Sequence, residues 1–234
     1  MQKISLFGAA ALLAIAPAAA MPPPLPGVEG KDAATLRAEM ESGELYEGLI
    51  LSVYQDRIGR LDDYGPKLEA VIVNLSQTEA YAEGQKLYDE RKAGKARGPL
   101  HGIPILLKDN IETAGPRATT AGSLALEDNV RGRDAPIVAR RRDAGAVILG
   151  KTNLSEWANI RSNNSTSGWS AVGGLTKNPH ALDHNSCGSS SGSAAAVAAS
   201  LAPLAIGTET DGSITCPAGV NGIVGFKPSV GLVR

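Results

Sequence analysis

The sequence predicts an α/β domain, and two observations carry that prediction. Apolar runs short enough for buried strands alternate along the chain with stretches whose apolar residues recur at helical spacing. The chain has 234 residues, of which 43% are hydrophobic, and this is enough for one sizeable core. A net charge of −1 favours neither nucleic acid nor a solvating acidic tail, so we expect small or neutral partners.

The first twenty residues have the pattern of an export signal. Lys3 supplies a positive start, residues 4–15 are nearly all apolar, and small residues follow as far as Ala20. A membrane-spanning helix needs about 20 apolar residues, so we predict no stable membrane insertion. We therefore predict a signal peptide over 1–20 that is cleaved near Ala20, a Pro-rich mature start over 21–31, and a periplasmic or secreted protein. An uncleaved lipid anchor is the alternative, although no cysteine stands at the cleavage position.

The first part of the mature chain is predicted to be helices packed around one strand. Asp32 is a suitable N-cap for a helix that ends at Gly43, and apolar residues at helical spacing indicate a second helix over 45–61. Residues 68–73 have the composition of a buried strand, and residues 77–92 that of another helix. These segments are amphipathic packing elements with no visible chemistry.

The next elements bring a lysine to the end of a buried strand. A Gly/Pro turn precedes the apolar run 103–107, and Lys108 follows that run directly. A lone lysine after a strand is usually exposed to solvent at the strand end. Lys108 is therefore a candidate site residue only together with the serine-rich turns described next. Further along, we predict a helix over 134–144, a strand over 146–150, the start of a helix over 153–159 and a long ordered loop over 162–185.

Two serine-bearing turns follow the loop. Residues 186–193 read SCGSSSGS and lead into the small-residue run 194–199, which is better explained as a buried helix than as a flexible linker. Residues 207–213 read GTETDGS and form a second Gly/Ser turn. Two such turns joined by an apolar segment indicate two hydroxyls in one pocket. Together with Lys108, they predict a hydrolase site.

Cysteine and histidine placement restricts the other site classes. Cys187 and Cys216 flank the serine turns, and the sequence leaves open whether they form a disulfide or are two small buried residues. His101, His180 and His184 lack metal-ligand spacing with a carboxylate, and no phosphate-binding loop motif occurs. We therefore expect neither a metal nor a cofactor.

Four separated motifs, in this order, resemble the amidase signature family. The resemblance runs from about residue 32 to residue 234, and it implies a mixed β-sheet core covered by helices on both faces. Family members are about twice this length, so the resemblance also implies an incomplete domain over 32–234 that lacks its C-terminal half. The motifs are GIPILLKD at 102–109, GKTNLSE at 150–156, the Gly/Ser segment at 186–213 and GFKP at 225–228.

The resemblance implies a role for each polar residue of the motifs. Ser213 corresponds to the nucleophile, Lys108 to the base, and Ser189 to a bridging serine whose preceding peptide bond is cis in the family. The backbone amides expected to form the oxyanion hole are those of Thr210, Asp211, Gly212 and Ser213.

The chemistry of amide hydrolysis fits these roles independently. A serine hydroxyl is a weak nucleophile until a base takes its proton, and the tetrahedral oxyanion needs hydrogen-bond donors. A lysine can act as that base only when neutral, which requires its pKa of about 10.4 to fall by roughly three units, or about 4 kcal/mol. Burial behind the apolar run 103–107 can supply that shift. Ser189 would then carry the proton between Ser213 and Lys108 and return it to the leaving amine.

Within the family, residues 187–193 and 209–217 look most like the bacterial peptide amidases, which remove the C-terminal amide of peptides. Cys187, Ser191 and Asp211 stand where glycine is common in the family, which affects the expected substrate preference more than the reaction. We therefore expect a peptide or other small amide as substrate.

Three alternatives remain beside this interpretation. A G-x-S-x-G match at 188–192 would make Ser190 the nucleophile of an α/β-hydrolase, but that fold needs a downstream histidine and the last one here is His184. The resemblance also allows a glutamine-hydrolysing amidotransferase-type subunit, which the predicted export signal disfavours. The third alternative is an inactive or incomplete fragment of an amidase.

Overall fold

A computed structural model describes residues 27–233 of the chain. The predicted signal peptide and most of the predicted Pro-rich start lie outside the described residues. The α-helices are α1 (Ala33–Ser42), α2 (Glu47–Ile58), α3 (Gln77–Lys92), α4 (Pro136–Asp143), α5 (Ser191–Ala198) and α6 (Thr215–Val220). The strands are β1 (Val71–Asn74), β2 (Pro104–Lys108), β3 (Val147–Thr152), β4 (Trp169–Ser170), β5 (Gly174–Leu175), β6 (Lys177–Asn178), β7 (Ala181–Asn185) and β8 (Leu204–Ile206). A π-helical turn, Gly59–Tyr64, continues α2.

A mixed four-stranded sheet forms the centre of the described chain, in the order β1-β3-β2-β8. Strand β2 runs parallel to both of its neighbours, and β1 is antiparallel to β3. Because successive strand residues point to opposite faces, Leu106 packs in one core with Tyr54 of α2 and Ala195 of α5, whereas Leu107 packs in another with Val138 of α4. Helices thus cover both faces, and the predicted fold class is confirmed.

Helix ends follow the local signals in the sequence. The Asp32 side chain accepts a hydrogen bond from the Thr35 amide at the start of α1, and Gly43 ends that helix with a φ of 82°. Helix α3 begins with a capping box between Ser76 and Glu79 and has the bounds that the sequence predicts.

The predicted helix over 153–159 is wrong. Instead, a 3-10 turn occupies Glu156–Asn159, and Trp157 and Ala158 have positive φ values of 51° and 54°. The preceding Asn153 side chain donates to four acceptors, in residues 69, 173, 174 and 176, and its oxygen accepts from Ser170. These tertiary hydrogen bonds hold the chain out of a helix at this point.

Two other predictions need adjustment. The strand predicted from residue 68 begins only at Val71, because the Asp62 carboxylate accepts hydrogen bonds from the amides of Ala70 and Val71. The segment 162–185, predicted as a loop, contains the strand pairs β4–β5 and β6–β7. No helix in the described range 27–233 combines the length and the apolar character needed to cross a membrane.

Candidate active site

Lys108 ends strand β2 with its side chain fully buried. Its Nζ donates hydrogen bonds to Ser189 Oγ at 2.7 Å, to Thr208 Oγ1 at 2.9 Å and to the Thr208 carbonyl at 3.2 Å. All three acceptors are neutral, and two of them are hydroxyls. Strand β2 therefore places Lys108 in a cluster of hydroxyl and carbonyl groups.

Ser189 links the lysine to the second serine turn. It lies two residues before α5, and the peptide bond between Gly188 and Ser189 is cis. Its hydroxyl donates to Ser213 Oγ at 2.9 Å, and its carbonyl accepts from the Ser155 amide. Lys108, Ser189 and Ser213 thus form one continuous hydrogen-bond chain from a buried amine to a partly exposed hydroxyl.

Burial lowers the pKa of Lys108 to about 7, although the negative charge of Glu209 acts in the opposite direction. An ordinary lysine has a pKa near 10.5 and is charged at neutral pH. At the lowered value, a large share of the amine is neutral near pH 7. A neutral amine can accept a proton through Ser189, with the hydroxyl hydrogens reversed along the chain.

Sequence reasoning missed Thr208, the residue that contacts the lysine through two atoms. Asn110 also donates to the Thr208 hydroxyl, at 3.0 Å, so this hydroxyl joins the turn after β2 to the turn after β8. Thr208 lies two residues after β8, the strand beside β2, but the sequence does not show that these two strands are neighbours. Ligands and catalytic groups of α/β sheets gather at the carboxyl ends of parallel strands.

Glu209 anchors the turn that leads to Ser213. Its Oε2 accepts hydrogen bonds from the amides of Ile214 and Thr215 at 2.6 and 2.9 Å, and its Oε1 accepts from Lys227 at 3.0 Å. Burial opposes its ionisation, but these donors outweigh burial and hold the pKa of Glu209 at about 2. The carboxylate therefore fixes the backbone that carries Ser213.

The turn 210–213, predicted to supply the oxyanion hole, is exposed in its first half and half-buried at Gly212 and Ser213. Thr210 and Asp211 are exposed, and Gly212 has a φ of 74°, which favours glycine. A hydrogen bond from the Gly212 amide helps to lower the pKa of Glu209. Among residues 27–233, no acceptor takes a hydrogen bond from the amides of Thr210, Asp211 or Ser213. The amides of these three residues can therefore meet an incoming oxygen.

Cys187 and Cys216 form a disulfide, with their Cα atoms 6.1 Å apart. The structure thus decides between the two possibilities that the sequence left open. The disulfide joins the turn before Ser189 to the helix after Ser213. A hydrogen bond of 3.1 Å from the Ser190 amide to the Ser213 carbonyl ties the same two segments.

The Ser190 hydroxyl, the rival nucleophile, is committed to backbone contacts. It donates to the Thr208 carbonyl at 3.1 Å and accepts from the Thr208 amide at 3.2 Å. Neither contact involves a side chain that could act as its base. In the described part of the chain, no group of three or more His, Cys, Asp or Glu side chains is placed to hold a metal ion.

A cavity of about 380 Å³ reaches Asn110 but is not lined by Lys108, Ser189 or Ser213. Asn110, which contacts Thr208, lies at one of its walls, and Leu126, Leu154, Trp157 and Ile160 give it an apolar lining. The irregular turn at residues 157–158 therefore contributes an aromatic wall to this cavity.

The mixed sheet and the lysine–serine–serine chain define an α/β protein with a buried amine coupled to two hydroxyls. The family model described as Amidase matches residues 51–233. The chain belongs to this family.

Solved structures and curated relatives agree with this membership. The native peptide amidase from Stenotrophomonas maltophilia has a TM-score of 0.85 and 58% identity, over 90% of this chain and 42% of that chain. A putative amidase of Schizosaccharomyces pombe is 46% identical over 84% of this chain and 33% of its own length. A glutamyl-tRNA(Gln) amidotransferase subunit of Symbiobacterium thermophilum is 43% identical over 86% of this chain and 39% of its own length. The chain therefore spans well under half of each of these proteins.

Proposed function

We propose that this chain carries the reacting groups of an amide hydrolase, with Ser213 as nucleophile, Ser189 as proton bridge and Lys108 as base. The observation that carries the proposal is the unbroken chain of hydrogen bonds, 2.7 Å from Lys108 to Ser189 and 2.9 Å from Ser189 to Ser213. Both lengths suit proton transfer between positioned groups. The lowered pKa of Lys108 provides the neutral base that proton transfer along these hydrogen bonds needs.

The proposed reaction proceeds through a covalent intermediate. Ser213 attacks the amide carbonyl as its proton passes to Ser189, whose own proton passes to Lys108. The amides of Thr210, Asp211 and Ser213 stabilise the oxyanion, and the proton returns through Ser189 to the nitrogen that leaves as ammonia. A water molecule then releases the acyl group by the same route, which restores Ser213 and the carboxylic acid product.

The proposed substrate is the C-terminal amide of a peptide. The 58% identity to a solved peptide amidase supports this class, as does a second peptide amidase structure, with the competitive inhibitor chymostatin, at a TM-score of 0.84. The cavity lined by Asn110, which contacts Thr208, offers an apolar space for a substrate side chain. Export to the periplasm or medium, with cleavage near Ala20, belongs to the same proposal and can be tested by sequencing the mature N-terminus.

The second candidate is glutamine hydrolysis by an amidotransferase-type subunit. The 43% identity to a glutamyl-tRNA(Gln) amidotransferase subunit favours it. Both candidates release ammonia from a primary amide, so they differ in the substrate and in the need for a partner chain.

The test is ammonia release from a C-terminally amidated dipeptide, with free glutamine as the competing substrate. We expect release from the peptide amide and much slower release from glutamine, and we expect Ser213→Ala and Lys108→Ala to abolish it. Ser190→Ala removes the rival nucleophile and should leave measurable turnover. The chain spans 42% of the S. maltophilia enzyme. In a second arm of the experiment, the chain is therefore extended with the part of the S. maltophilia enzyme that has no counterpart in it.

The outcomes separate the candidates. Faster turnover of glutamine than of the peptide amide would overturn the peptide amidase proposal, and loss of turnover in Ser190→Ala alone would overturn the site assignment. Activity only in the extended protein would show that the chain is an incomplete enzyme with correctly assigned side chains. No ammonia from either protein would contradict the proposed function.

A further inference from the structure

A buried ion pair that the proposed reaction does not use lies next to the catalytic base. Lys151 Nζ is 3.2 Å from Asp109 Oδ1, and each side chain is 1% exposed. Asp109 directly follows Lys108 in the sequence, and Lys151 lies on the neighbouring strand β3. Replacing a buried ion pair by apolar residues of similar size is often neutral or stabilising, so its presence needs an explanation other than stability.

The pair lies on the opposite face of the sheet from the serines. In the parallel register, Lys108 pairs with Thr152 and Leu107 pairs with Lys151. Thr152 contacts Ser193 of α5, on the face where Lys108 meets Ser189. Because neighbouring strand residues alternate, Asp109 and Lys151 point to the other face.

On that face, Asp109 and Lys151 hold the segment that directly follows β2. Lys151 donates to the Ile111 carbonyl and to Thr119 Oγ1, both at 2.9 Å. The second Asp109 oxygen accepts from both the amide and the hydroxyl of Thr120. The segment 109–111 is thereby held against residues 119–120. Asn110, inside that segment, contacts Thr208, the other partner of Lys108.

The pair also adds no net charge beside the base. Glu209, which is paired with Lys227, is the charged group in the described chain that acts on the pKa of Lys108, and the mutually paired Asp109 and Lys151 add no net effect to it. A lone carboxylate at Asp109 would favour the protonated form of Lys108, and a lone ammonium at Lys151 would disfavour it.

We propose that Asp109 and Lys151 are a positioning pair that holds the end of β2 so that Lys108 meets Ser189 and Thr208, and that does so at zero net charge. The inference rests on the proposed function because it assigns the support of that same base. Neither residue touches the reacting atoms.

The test is the pH profile of kcat for the two single variants and the double variant of the full chain. Asp109→Asn leaves an unpaired cation, so the acidic limb should move to lower pH. Lys151→Met leaves an unpaired anion, so the limb should move to higher pH. Each shift should be about one pH unit. The neutral double variant should return the limb to near the original pH but lower kcat about tenfold or more, with little change in KM, because the lysine is no longer held in place.

A second buried pair provides the matched control. Glu47 and Arg91 are 2.6 Å apart, with side chains 0% and 14% exposed, and Arg91 also contacts the carbonyl of His101 before the start of β2. Arg91→Met should lower stability without moving the pH limb. Opposite shifts from opposite unpaired charges cannot arise from general damage to the fold.

A readout without turnover keeps the inference separate from the proposed function. The pH titration of the Lys108 13Cε resonance, assigned by its loss in Lys108→Arg, should shift in the same opposite directions in the two single variants. If folded single variants leave that titration unmoved, the inference is wrong even where ammonia release confirms the hydrolase. If the titrations shift but no protein releases ammonia, the proposed function fails and the pair's effect on Lys108 stands.

Discussion

Lys108 donates to neutral partners at the end of a buried strand, and this environment decides its ionisation. The acidic group that acts on its pKa is Glu209, which already accepts hydrogen bonds from two backbone amides and Lys227. Burial therefore dominates, and the pKa of Lys108 falls to about 7. The base form of the residue is populated at neutral pH without any histidine or metal in the proposed mechanism.

This ionisation predicts the pH dependence of the reaction. Because the base must be neutral, kcat/KM for the peptide amide should rise tenfold per pH unit below about 7 and level off above it. The rate rises with pH because the protonated amine, which cannot act as a base, is lost as pH rises through the pKa of Lys108. The lowered pKa places this rise near pH 7. The measurement is a series of initial ammonia-release rates between pH 5 and pH 9.

Lys108→Arg is the control for this profile. An arginine retains the charge and the hydrogen-bond donors but does not lose its proton in a protein, so activity should be absent at every pH. A flat profile for the unmodified protein, or one that rises only near pH 10, would contradict the role of a buried neutral lysine.

The sequence predicted Lys108, Ser189 and Ser213 together because each stands in a recognisable motif. Thr208 and the turn-fixing role of Glu209 were not predicted. The Thr208 contact depends on β8 lying beside β2, and that pairing brings together residues about 100 positions apart. Glu209 instead accepts hydrogen bonds within its own turn and from Lys227, from residues 5, 6 and 18 positions away. A threonine or a glutamate in a Gly/Ser turn carries no local sign of such a contact.

At the scale of elements, Gly192 sets how closely α5 approaches the sheet. A Cβ at this position would lie 2.2 Å from the Ala70 carbonyl oxygen and 2.6 Å from the Asn153 amide nitrogen. Both are backbone atoms, so they cannot move aside without shifting the end of β3 or the start of β1. Gly192→Ala should therefore lower the free energy of unfolding by about 2 kcal/mol or more.

Gly219 in α6 is the matched control, because a Cβ there meets no atom within 4 Å. Gly219→Ala should be neutral or stabilise by up to about 1 kcal/mol, since alanine favours a helix more than glycine. Urea denaturation followed by far-ultraviolet circular dichroism measures both. Equal midpoints for the two variants would show that α5 can retreat from the sheet at little cost.

Local signals explain which elements could be predicted. Helices α1 and α3 carry their own caps, so their bounds follow from nearby residues. The segment 153–159 has residues compatible with a helix, but the Asn153 side chain binds two distant segments, at residue 69 and at residues 173–176, and these contacts hold the chain out of a helix. The start of β1 is likewise set by Asp62, a contact that no periodicity reveals.

At the scale of the molecule, the disulfide between Cys187 and Cys216 closes a loop across the candidate site. The two residues are 29 positions apart, and closing a loop of this length stabilises a fold by about 3.6 kcal/mol. The double variant Cys187→Ala/Cys216→Ala should lose about that much free energy of unfolding. A reductant should destabilise the unmodified protein and leave the double variant unaffected. Equal urea midpoints with and without reductant would contradict a disulfide in the purified protein.

The fold class could be predicted from alternating elements, but the order of the strands could not. The site needs that order, because Lys108 after β2 and Thr208 after β8 meet only if these two strands are neighbours. Periodicity reports which face of a strand is buried, and it does not report which strand lies alongside.

The hydrogen bonds from Lys108 through Ser189 to Ser213 form only when the protein is folded, so the proposed reactivity requires folding. Lys108 and Ser189 are 81 positions apart, and Ser189 and Ser213 are a further 24 apart. In the unfolded nascent polypeptide, the amine is hydrated and protonated and the hydroxyls are ordinary alcohols. Such a nascent polypeptide carries the proposed reacting atoms and yet is chemically inert until its strands pair.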